Sequence, residues 1–385
     1  MDGFGKTIAA ILIIAGILFV FFGGALHILN TGDTQLFGLF GAIIISLIIL
    51  FVFITENRSG KKTVIWISLV LAGGAAFAVP YYYKESFEKV NDSEVDLFAY
   101  EPFKESEKLA RLEGKASFQI EGEVPILDGA TALYPLFAAF AEATYPEGLY
   151  EPYSGPVATT TTPSAYSRLI KGNADVIFAA EPSDGQKQAA EEAGVELKLT
   201  PIGREAFVFF VNSRNPVNDL SSEDIRGIYS GGFGNWKELG GKDDEIRPFQ
   251  RPENSGSQTM FIKFMEDKEI KEPETEELAE GMGGIIEEVA SYRNYKNAIG
   301  YTFRFYSTEM IRNDKIKLIS VDGIEPSIKN IRSGKYPLTS EFYAVTAGTE
   351  NPNVQPFIDW ILSEEGQKLV EGTGFVPVQE KPEED

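Results

Sequence analysis

The sequence contains no cysteine, and its single histidine, His27, lies within an apolar run near the N-terminus. The absence of cysteine excludes disulfide bonds, thiolate metal sites, a cysteine nucleophile and a lipid-modified cysteine. One histidine in an apolar run also excludes a histidine-based triad or a multi-histidine metal site in the charged part of the chain. The acidic residues show no metal-ligand spacing such as an EF-hand loop. The sequence therefore predicts no cofactor and no metal.

Basic residues are few relative to acidic ones. The 385 residues include 35 Lys and Arg against 57 Asp and Glu, which gives a formal net charge of −22. This charge lies almost entirely after residue 83, where the net charge is about −23. Nucleic acid is excluded as a partner, because binding to its phosphate backbone requires a basic face. Binding of a small anion is compatible with this charge, since it depends on a local cluster of donors.

Long apolar runs are confined to the first 83 residues. Three of them, Thr7–Leu29, Leu36–Thr55 and Thr63–Tyr83, have about the 20 residues that cross a bilayer core as a helix. The first run lacks a clear small-residue cleavage site and is followed by two more, so we interpret it as a retained span and not as a signal peptide. The sequence therefore predicts a three-span transmembrane anchor over residues 1–83.

Charged residues between these runs predict the orientation of the anchor. Lys6 precedes the first run, the first loop contains only Asp33, and the second loop contains Arg58 and two lysines. Positive charge marks the cytoplasmic side of a membrane. We therefore expect a multi-pass protein of the cell membrane, with a cytoplasmic N-terminus and an extracytoplasmic domain after Tyr83.

The rest of the chain has three predicted parts. Residues 84–117 are rich in charge, with a helix-like pattern over Lys104–Leu112, and are interpreted as a stalk or linker. From Phe118 short β-type runs alternate with amphipathic helical segments, which indicates an α/β fold over residues 118–378. Residues 379–385 form a short acidic tail.

Three turns with small and hydroxyl residues each lead into a helical pattern. They contain Thr131, Thr162 and Ser255, and Thr162 precedes Pro163, which suits a first helical turn. One such turn is most often an ordinary helix cap. Three converging helix N-termini would instead form an anion site, because their amides lack intrahelical partners and carry partial positive charge. Arg251, four residues before Ser255, adds a guanidinium group to the same loop.

Five segments of the sequence, taken in their order along the chain, match the pattern of a known protein family. They are DGATALYP from Asp128, GNADVIFAAEP from Gly172, RPENSGSQT from Arg251, NAIGY from Asn297 and YPLTSEFY from Tyr336. Together they resemble the phosphate-binding proteins of ABC uptake systems, over residues 118 to 377. The resemblance implies a two-lobed, periplasmic-binding-protein-like (type II) α/β ectodomain, here preceded by three transmembrane helices. Lobe one would comprise about 118–204 and 317–377, and lobe two about 205–314.

The resemblance also implies a set of ligand-binding residues. By position they are Thr131, Ala132, Thr162, Glu181, Arg251, Ser255, Gly256 and Ser257. Hydroxyl and amide groups would donate hydrogen bonds to the anion, and Arg251 would supply positive charge. Glu181 replaces a family aspartate that accepts a hydrogen bond from a protonated phosphate oxygen, and such an acceptor rejects sulfate. The added methylene of glutamate leaves two alternatives, in which the carboxylate reaches the ligand or turns away from it.

The function implied by the resemblance is that of a membrane-anchored, extracytoplasmic solute-binding protein that binds phosphate for ABC-type import, with permease subunits as partners. The alternative is a membrane-anchored phosphate or oxyanion sensor or interaction protein without a transport role. It arises because relatives usually carry a cleaved signal in place of three spans. An esterase or phosphatase is disfavoured, because the predicted ectodomain contains no histidine that could act as a base for Ser255 or Ser257.

Overall fold

The computed structural model describes residues 95–273, 295–312 and 314–378. The chain divides into two units, Met1–Phe87 and Glu88–Asp385, and the described residues belong to the second. The three predicted membrane spans and the predicted acidic tail lie outside the described residues. Within those residues, no helix is both long enough and apolar enough to cross a membrane.

Most strands and helices of the described part are short. The strands are β1 (Leu127–Gly129), β2 (Val176–Ala179), β3 (Lys198–Asn212), β4 (Asp219–Leu220), β5 (Arg247–Pro248), β6 (Ala298–Phe303), β7 (Ile316–Leu318), β8 (Ser320–Val321), β9 (Thr339–Thr346) and β10 (Val376–Pro377). The α-helices are α1 (Tyr134–Thr144), α2 (Thr162–Ile170), α3 (Asp184–Glu192), α4 (Ser222–Tyr229), α5 (Gly256–Met265), α6 (Ile328–Arg332), α7 (Val354–Ile361) and α8 (Glu364–Thr373). Short 3₁₀ helices cover Leu97–Tyr100, Thr131–Leu133 and Trp236–Leu239, and a π-helix covers Tyr306–Ile311.

Strand β3 joins the two halves of the main sheet. Its apolar run from Ala206 to Val211 is buried throughout, as expected for a strand covered on both faces. The first half of β3 pairs antiparallel with β9 and β10, and its second half pairs antiparallel with β6 and β7. The sheet order is β1-β2-β9-β3-β6-β5, so each half of β3 lies at the centre of a separate group of strands.

Two hydrophobic cores form on these two halves, and we call them lobe one and lobe two. In lobe one, α1 packs on β2, and the ring of Phe137 stacks on Phe178 with centroids 5.0 Å apart. A smaller cluster covers the other face of this sheet with α2. In lobe two, α5 packs on β6, and Phe261 stacks on Tyr301 with centroids 4.4 Å apart. The arrangement agrees with the predicted mixed α/β fold.

The boundary between the lobes differs from the prediction in one respect. Residues 315–338 belong to lobe two, because β7 pairs with the second half of β3 and Ile331 of α6 lies in the lobe-two core. The chain returns to lobe one only with β9, whereas the sequence-based boundary was Lys317. Phe305 of the segment after β6 packs in the core of lobe one. The chain passes between the lobes near Phe305 and again at β9. Strand pairing sets both of these points, and the sequence pattern does not reveal this pairing.

The predicted stalk is also revised from residue 95 onward. Val95, Leu97 and Tyr100 are buried in the lobe-one core, and residues 104–112 form no helix. Glu142 of α1 accepts a hydrogen bond from the Phe103 amide at 2.8 Å. The buried apolar side chains of this segment pack in the lobe-one core, although charged residues lie between them in the sequence. The segment is therefore part of the folded domain.

Candidate functional site

Two turns of lobe one are held together by Asp128, a buried residue of β1. Its carboxylate accepts hydrogen bonds from the Gly129 amide at 2.7 Å, from the Thr160 amide at 2.8 Å and from the Thr160 hydroxyl at 2.6 Å. It also forms an ion pair with Arg168 of α2. Burial raises the pKa of Asp128, while the Thr160 hydroxyl and Arg168 oppose that effect. Asp128 thus fixes the turn after β1 beside the threonine-rich turn before α2.

The turn after β1 differs in detail from the predicted cap. Thr131 lies within the 3₁₀ helix Thr131–Leu133 and does not cap a helix with its side chain. The Ala130 amide donates to the Phe178 carbonyl at 2.8 Å, so the turn lies against the end of β2. Gly129 is needed at this approach, because a Cβ there would overlap the Phe178 carbonyl oxygen. Thr131 and Ala132 are thereby placed at the edge of lobe one.

Of the four threonines in the turn before α2, two hold the turn in place and the other two line a pocket. The Thr159 hydroxyl donates to the Gly129 carbonyl at 2.9 Å, and Thr160 is bound to Asp128. Thr161 and Thr162 follow, and helix α2 begins at Thr162, so the N-cap is Thr161 and not Thr162 as predicted. Thr161 adopts φ 79° and makes no side-chain capping bond.

Lobe two contributes the loop from Arg251 to Ser255. The Arg251 amide donates to the Gln258 side-chain oxygen at 3.0 Å and to the Tyr301 hydroxyl at 3.1 Å. Ser255 caps α5, because its Oγ accepts a hydrogen bond from the Gln258 amide at 3.2 Å. These contacts anchor the loop on α5 and β6, with the N-terminus of α5 directed toward lobe one.

The turns from both lobes line one small pocket of about 80 Å³. Its lining residues are Ala130, Thr131, Ala132, Thr161, Thr162, Arg251, Ser255, Gly256, Ser257, Thr302, Phe303 and Tyr306. The volume is far below the roughly 300–1,000 Å³ of pockets for drug-sized ligands. A Cβ added to Gly256 would lie 3.4 Å from Thr162 Oγ1, which shows how closely the two helix N-termini approach each other.

The chemistry of this lining favours a small anion. It contains one guanidinium group and several hydroxyl groups, together with the N-terminal ends of α2 and α5. Helix N-termini present amide donors and partial positive charge. No carboxylate occurs among the described residues that line the pocket. The described lining therefore combines one basic side chain with two helix N-termini, within a strongly acidic chain.

Seven of the eight predicted site residues lie in this pocket, and Glu181 does not. Glu181 follows β2, and its Oε2 lies 2.9 Å from Lys263 Nζ of α5, while Tyr343 donates a hydrogen bond to Oε1 at 3.3 Å. The hydrogen bond from Lys263 holds the pKa of Glu181 below its usual value, although partial burial opposes this. The longer glutamate side chain therefore turns away from the pocket and pairs with the opposite lobe.

The sequence reasoning missed five lining residues. They are Ala130, Thr161, Thr302, Phe303 and Tyr306. Ala130 and Thr161 directly precede predicted residues, so each turn contributes one more position than the pattern indicated. The other three lie at or just after the end of β6, where the sequence shows no small-residue turn of the kind that marked the rest of the site.

Comparison with known proteins identifies relatives over the same region. The model of the PBP superfamily domain matches residues 125–365. A protein of Bacillus subtilis named phosphate-binding protein PstS is 30% identical over 282 residues, covering 71% of this chain and 87% of that protein. The protein of the same name from Staphylococcus saprophyticus is 25% identical over 276 residues, covering 70% and 83%.

A solved structure shows the same fold. It is a high-affinity periplasmic phosphate-binding protein bound with phosphate, which is 13% identical to this chain. The match covers 66% of this chain and 90% of that chain, with a TM-score of 0.50. The mixed α/β fold of the periplasmic-binding-protein type that the sequence predicted is thus confirmed for this domain.

Proposed function

Because the chain belongs to the PBP superfamily and, within it, to the family of phosphate-binding proteins, we propose that it is an extracytoplasmic solute-binding protein that captures phosphate for an ABC importer. The role requires reversible binding and no chemical turnover. The relatives named above are binding proteins, and this chain is accordingly a receptor and not an enzyme.

The observation that carries the proposal is the pocket formed by both lobes. Lobe one supplies Thr131 and Thr162, and lobe two supplies Arg251, Ser255 and Ser257. An anion bound there would contact both lobes at once, so binding would favour the closed arrangement over an open one. Strand β3 runs from one lobe into the other and would provide a connection about which such closure takes place.

Within the pocket each group has a distinct role. Arg251 offers a planar fork of N–H donors that matches two oxygens of a tetrahedral oxyanion. The hydroxyl of Ser255 can donate to the ligand while its lone pair caps α5. The amides of Gly256 and Ser257 lie in the first turn of α5 and supply donors without a formal charge.

Glu181 has no ligand-binding role in this proposal. Its carboxylate is paired with Lys263, so it joins lobe one to lobe two outside the pocket. A second inter-lobe contact lies nearby, where the Ser183 hydroxyl donates to Asn254 Oδ1 at 2.7 Å. We therefore propose that Glu181 stabilises the closed arrangement of the lobes and does not distinguish protonated from deprotonated phosphate.

Membrane anchoring remains part of the proposal. The apolar runs in residues 7–83 support three spans with the N-terminus in the cytoplasm. This topology would present the binding domain to permease subunits in the plane of the same membrane. Reporter fusions after Lys84 test it, because cytoplasmic reporter activity at that position would exclude the topology.

The deciding experiment is a calorimetric titration of the full-length protein in detergent with phosphate, using chloride and acetate as controls. We expect stoichiometric binding of phosphate and no binding of either control, since neither control has a tetrahedral shape. Absence of phosphate binding would overturn the proposed function and leave the fold unaffected. A parallel titration with sulfate measures whether the pocket distinguishes tetrahedral anions by their protonation.

A further inference from the structure

Thr161 adopts a backbone conformation that is unusual for its residue type. Its φ is 79° and its ψ is 159°, outside the regions that β-branched residues normally occupy. Glycine adopts positive φ without penalty, whereas a threonine there carries steric strain. Such strain persists where the surrounding structure imposes it, and it is concentrated at ligand-binding positions.

The hydroxyl group of Thr161 is unusual as well. The residue is 4% exposed, and its Oγ1 has no hydrogen-bond partner among the described residues. The two preceding threonines differ, because the Thr159 and Thr160 hydroxyls donate to Gly129 and Asp128. A buried hydroxyl without a partner is unfavourable. Thr161 thus combines an unfavourable backbone with an unfavourable side-chain environment.

Both features occur at the wall of the anion pocket. Thr161 lines it beside Thr162, opposite the N-terminus of α5. A ligand oxygen in the pocket would supply the partner that Oγ1 lacks, and the free energy of that hydrogen bond would offset the strain. A structural role for the hydroxyl is not supported, because Thr161 does not cap α2 with its side chain.

We propose that Thr161 is a ligand-contacting residue whose hydroxyl forms a hydrogen bond with the bound tetrahedral oxyanion. This inference rests on the proposed function and deepens it. A hydroxyl donates to a deprotonated oxygen and accepts from a protonated one. Because the described lining contains no carboxylate, this group allows the pocket to hold an oxyanion in either protonation state.

Three substitutions of Thr161 separate hydroxyl, shape and strain. Thr161→Val keeps the branched shape and removes the hydroxyl, Thr161→Ser keeps the hydroxyl, and Thr161→Gly removes both the hydroxyl and the strain. Each full-length variant would be titrated with inorganic phosphate and melted with and without it. Ser164→Ala is the matched control, because it removes an exposed hydroxyl of the same helical turn outside the pocket.

We expect Thr161→Val to weaken phosphate binding at least tenfold, which corresponds to about 1.4 kcal/mol. Thr161→Ser should stay within a few-fold of the wild type, and Ser164→Ala should be unchanged. Thr161→Gly should bind weakly while melting at a higher temperature than the wild type in the absence of phosphate. If Thr161→Val does not fold, the phosphate affinities of Thr161→Gly and Thr161→Ser test the role of the hydroxyl, because only the serine variant keeps it.

Wild-type affinity in both Thr161→Val and Thr161→Gly would overturn this inference while the proposed function stands. Failure of the wild-type protein to bind phosphate would overturn both together. The two failures are therefore distinguishable in one set of titrations.

Discussion

Glu205 makes the stability of this protein depend on pH in a way that can be calculated. It lies in β3 opposite Ser340 of β9, near the point where β3 passes from lobe one to lobe two. Complete burial raises the pKa of Glu205 from 4.5 to about 8, although the Phe305 amide, which donates to its Oε1, and the charge of Arg304 both oppose this rise. The side chain is thus protonated in the folded protein at neutral pH.

The sign of the effect follows from proton linkage. Because the pKa is higher in the folded than in the unfolded state, the folded protein binds this proton more tightly. The resulting stabilisation is complete below pH 4.5 and is lost as the pH rises to about 8. One pKa unit corresponds to about 1.4 kcal/mol, so raising the pH from 5 to 7 should lower the free energy of unfolding by roughly 2–3 kcal/mol through Glu205 alone.

Glu205→Gln isolates this contribution. The glutamine resembles the protonated acid and keeps an acceptor oxygen for the Phe305 amide, but it does not titrate. The free energy of unfolding of both full-length proteins would be measured with denaturant and near-ultraviolet circular dichroism. The value for the variant minus that for the wild type should increase by roughly 2–3 kcal/mol from pH 5 to pH 7. Parallel stability profiles of the two proteins over this range would refute the reasoning.

The control for this experiment is Glu223→Gln on the surface. Hydrogen bonds from Lys268 and Arg226 hold the pKa of Glu223 below its usual value, so it does not change its charge between pH 5 and pH 7. The difference in unfolding free energy between this variant and the wild type should therefore stay constant over the same range.

Three further predictions concern a residue of the pocket, the ion pair beside it and the turn after β1. Arg251→Ala should weaken phosphate binding about tenfold to a hundredfold in calorimetry, because hydrogen bonds to a charged group contribute about 1.5–3 kcal/mol each. Glu181→Gln should leave the ratio of phosphate to sulfate affinity unchanged in the same assay, since the carboxylate pairs with Lys263 outside the pocket. Gly129→Ala should lower the unfolding free energy by about 1–3 kcal/mol, because the added Cβ overlaps the Phe178 carbonyl oxygen.

Each of these predictions has its own contrary result, and two of them have a matched control variant. For Arg251→Ala the control is Arg332→Ala, which removes a surface ion pair with Glu371, and equal affinities in both variants would remove Arg251 from the site. Loss of the preference for phosphate over sulfate in Glu181→Gln would instead support the role that the resemblance implied, in which the carboxylate accepts a hydrogen bond from a protonated phosphate oxygen. For Gly129→Ala, the open turn at Gly114 provides Gly114→Ala as the control, and equal stability of the two variants would contradict the proposed clash.

Most of the site could be predicted from local sequence, because its parts are local motifs. Thr131, Thr162 and the Ser255–Ser257 turn each lie in a pattern of small and hydroxyl residues that predicts a helix N-terminus. Of these, only Ser255 caps its helix with its side chain. Their convergence needed the family resemblance, since no local rule brings segments more than 80 residues apart into one pocket. The position of Glu181 could not be predicted, because the alternatives depended on whether Lys263 of the other lobe lay within reach.

The sequence by itself determined the exclusion of disulfide bonds, the α/β alternation of the domain, and the residue types that are proposed to bind a small anion. Hydrophobic periodicity and helix-capping chemistry are local, and the absence of cysteine is a property of the composition, so none of these properties requires the tertiary structure. The tertiary structure decided that Thr161 and Tyr306 line the pocket, that residues 95–117 pack on lobe one, and that β7 belongs to lobe two. Each of these depends on contacts between residues distant in the chain, whose geometry is set by strand pairing and core packing together.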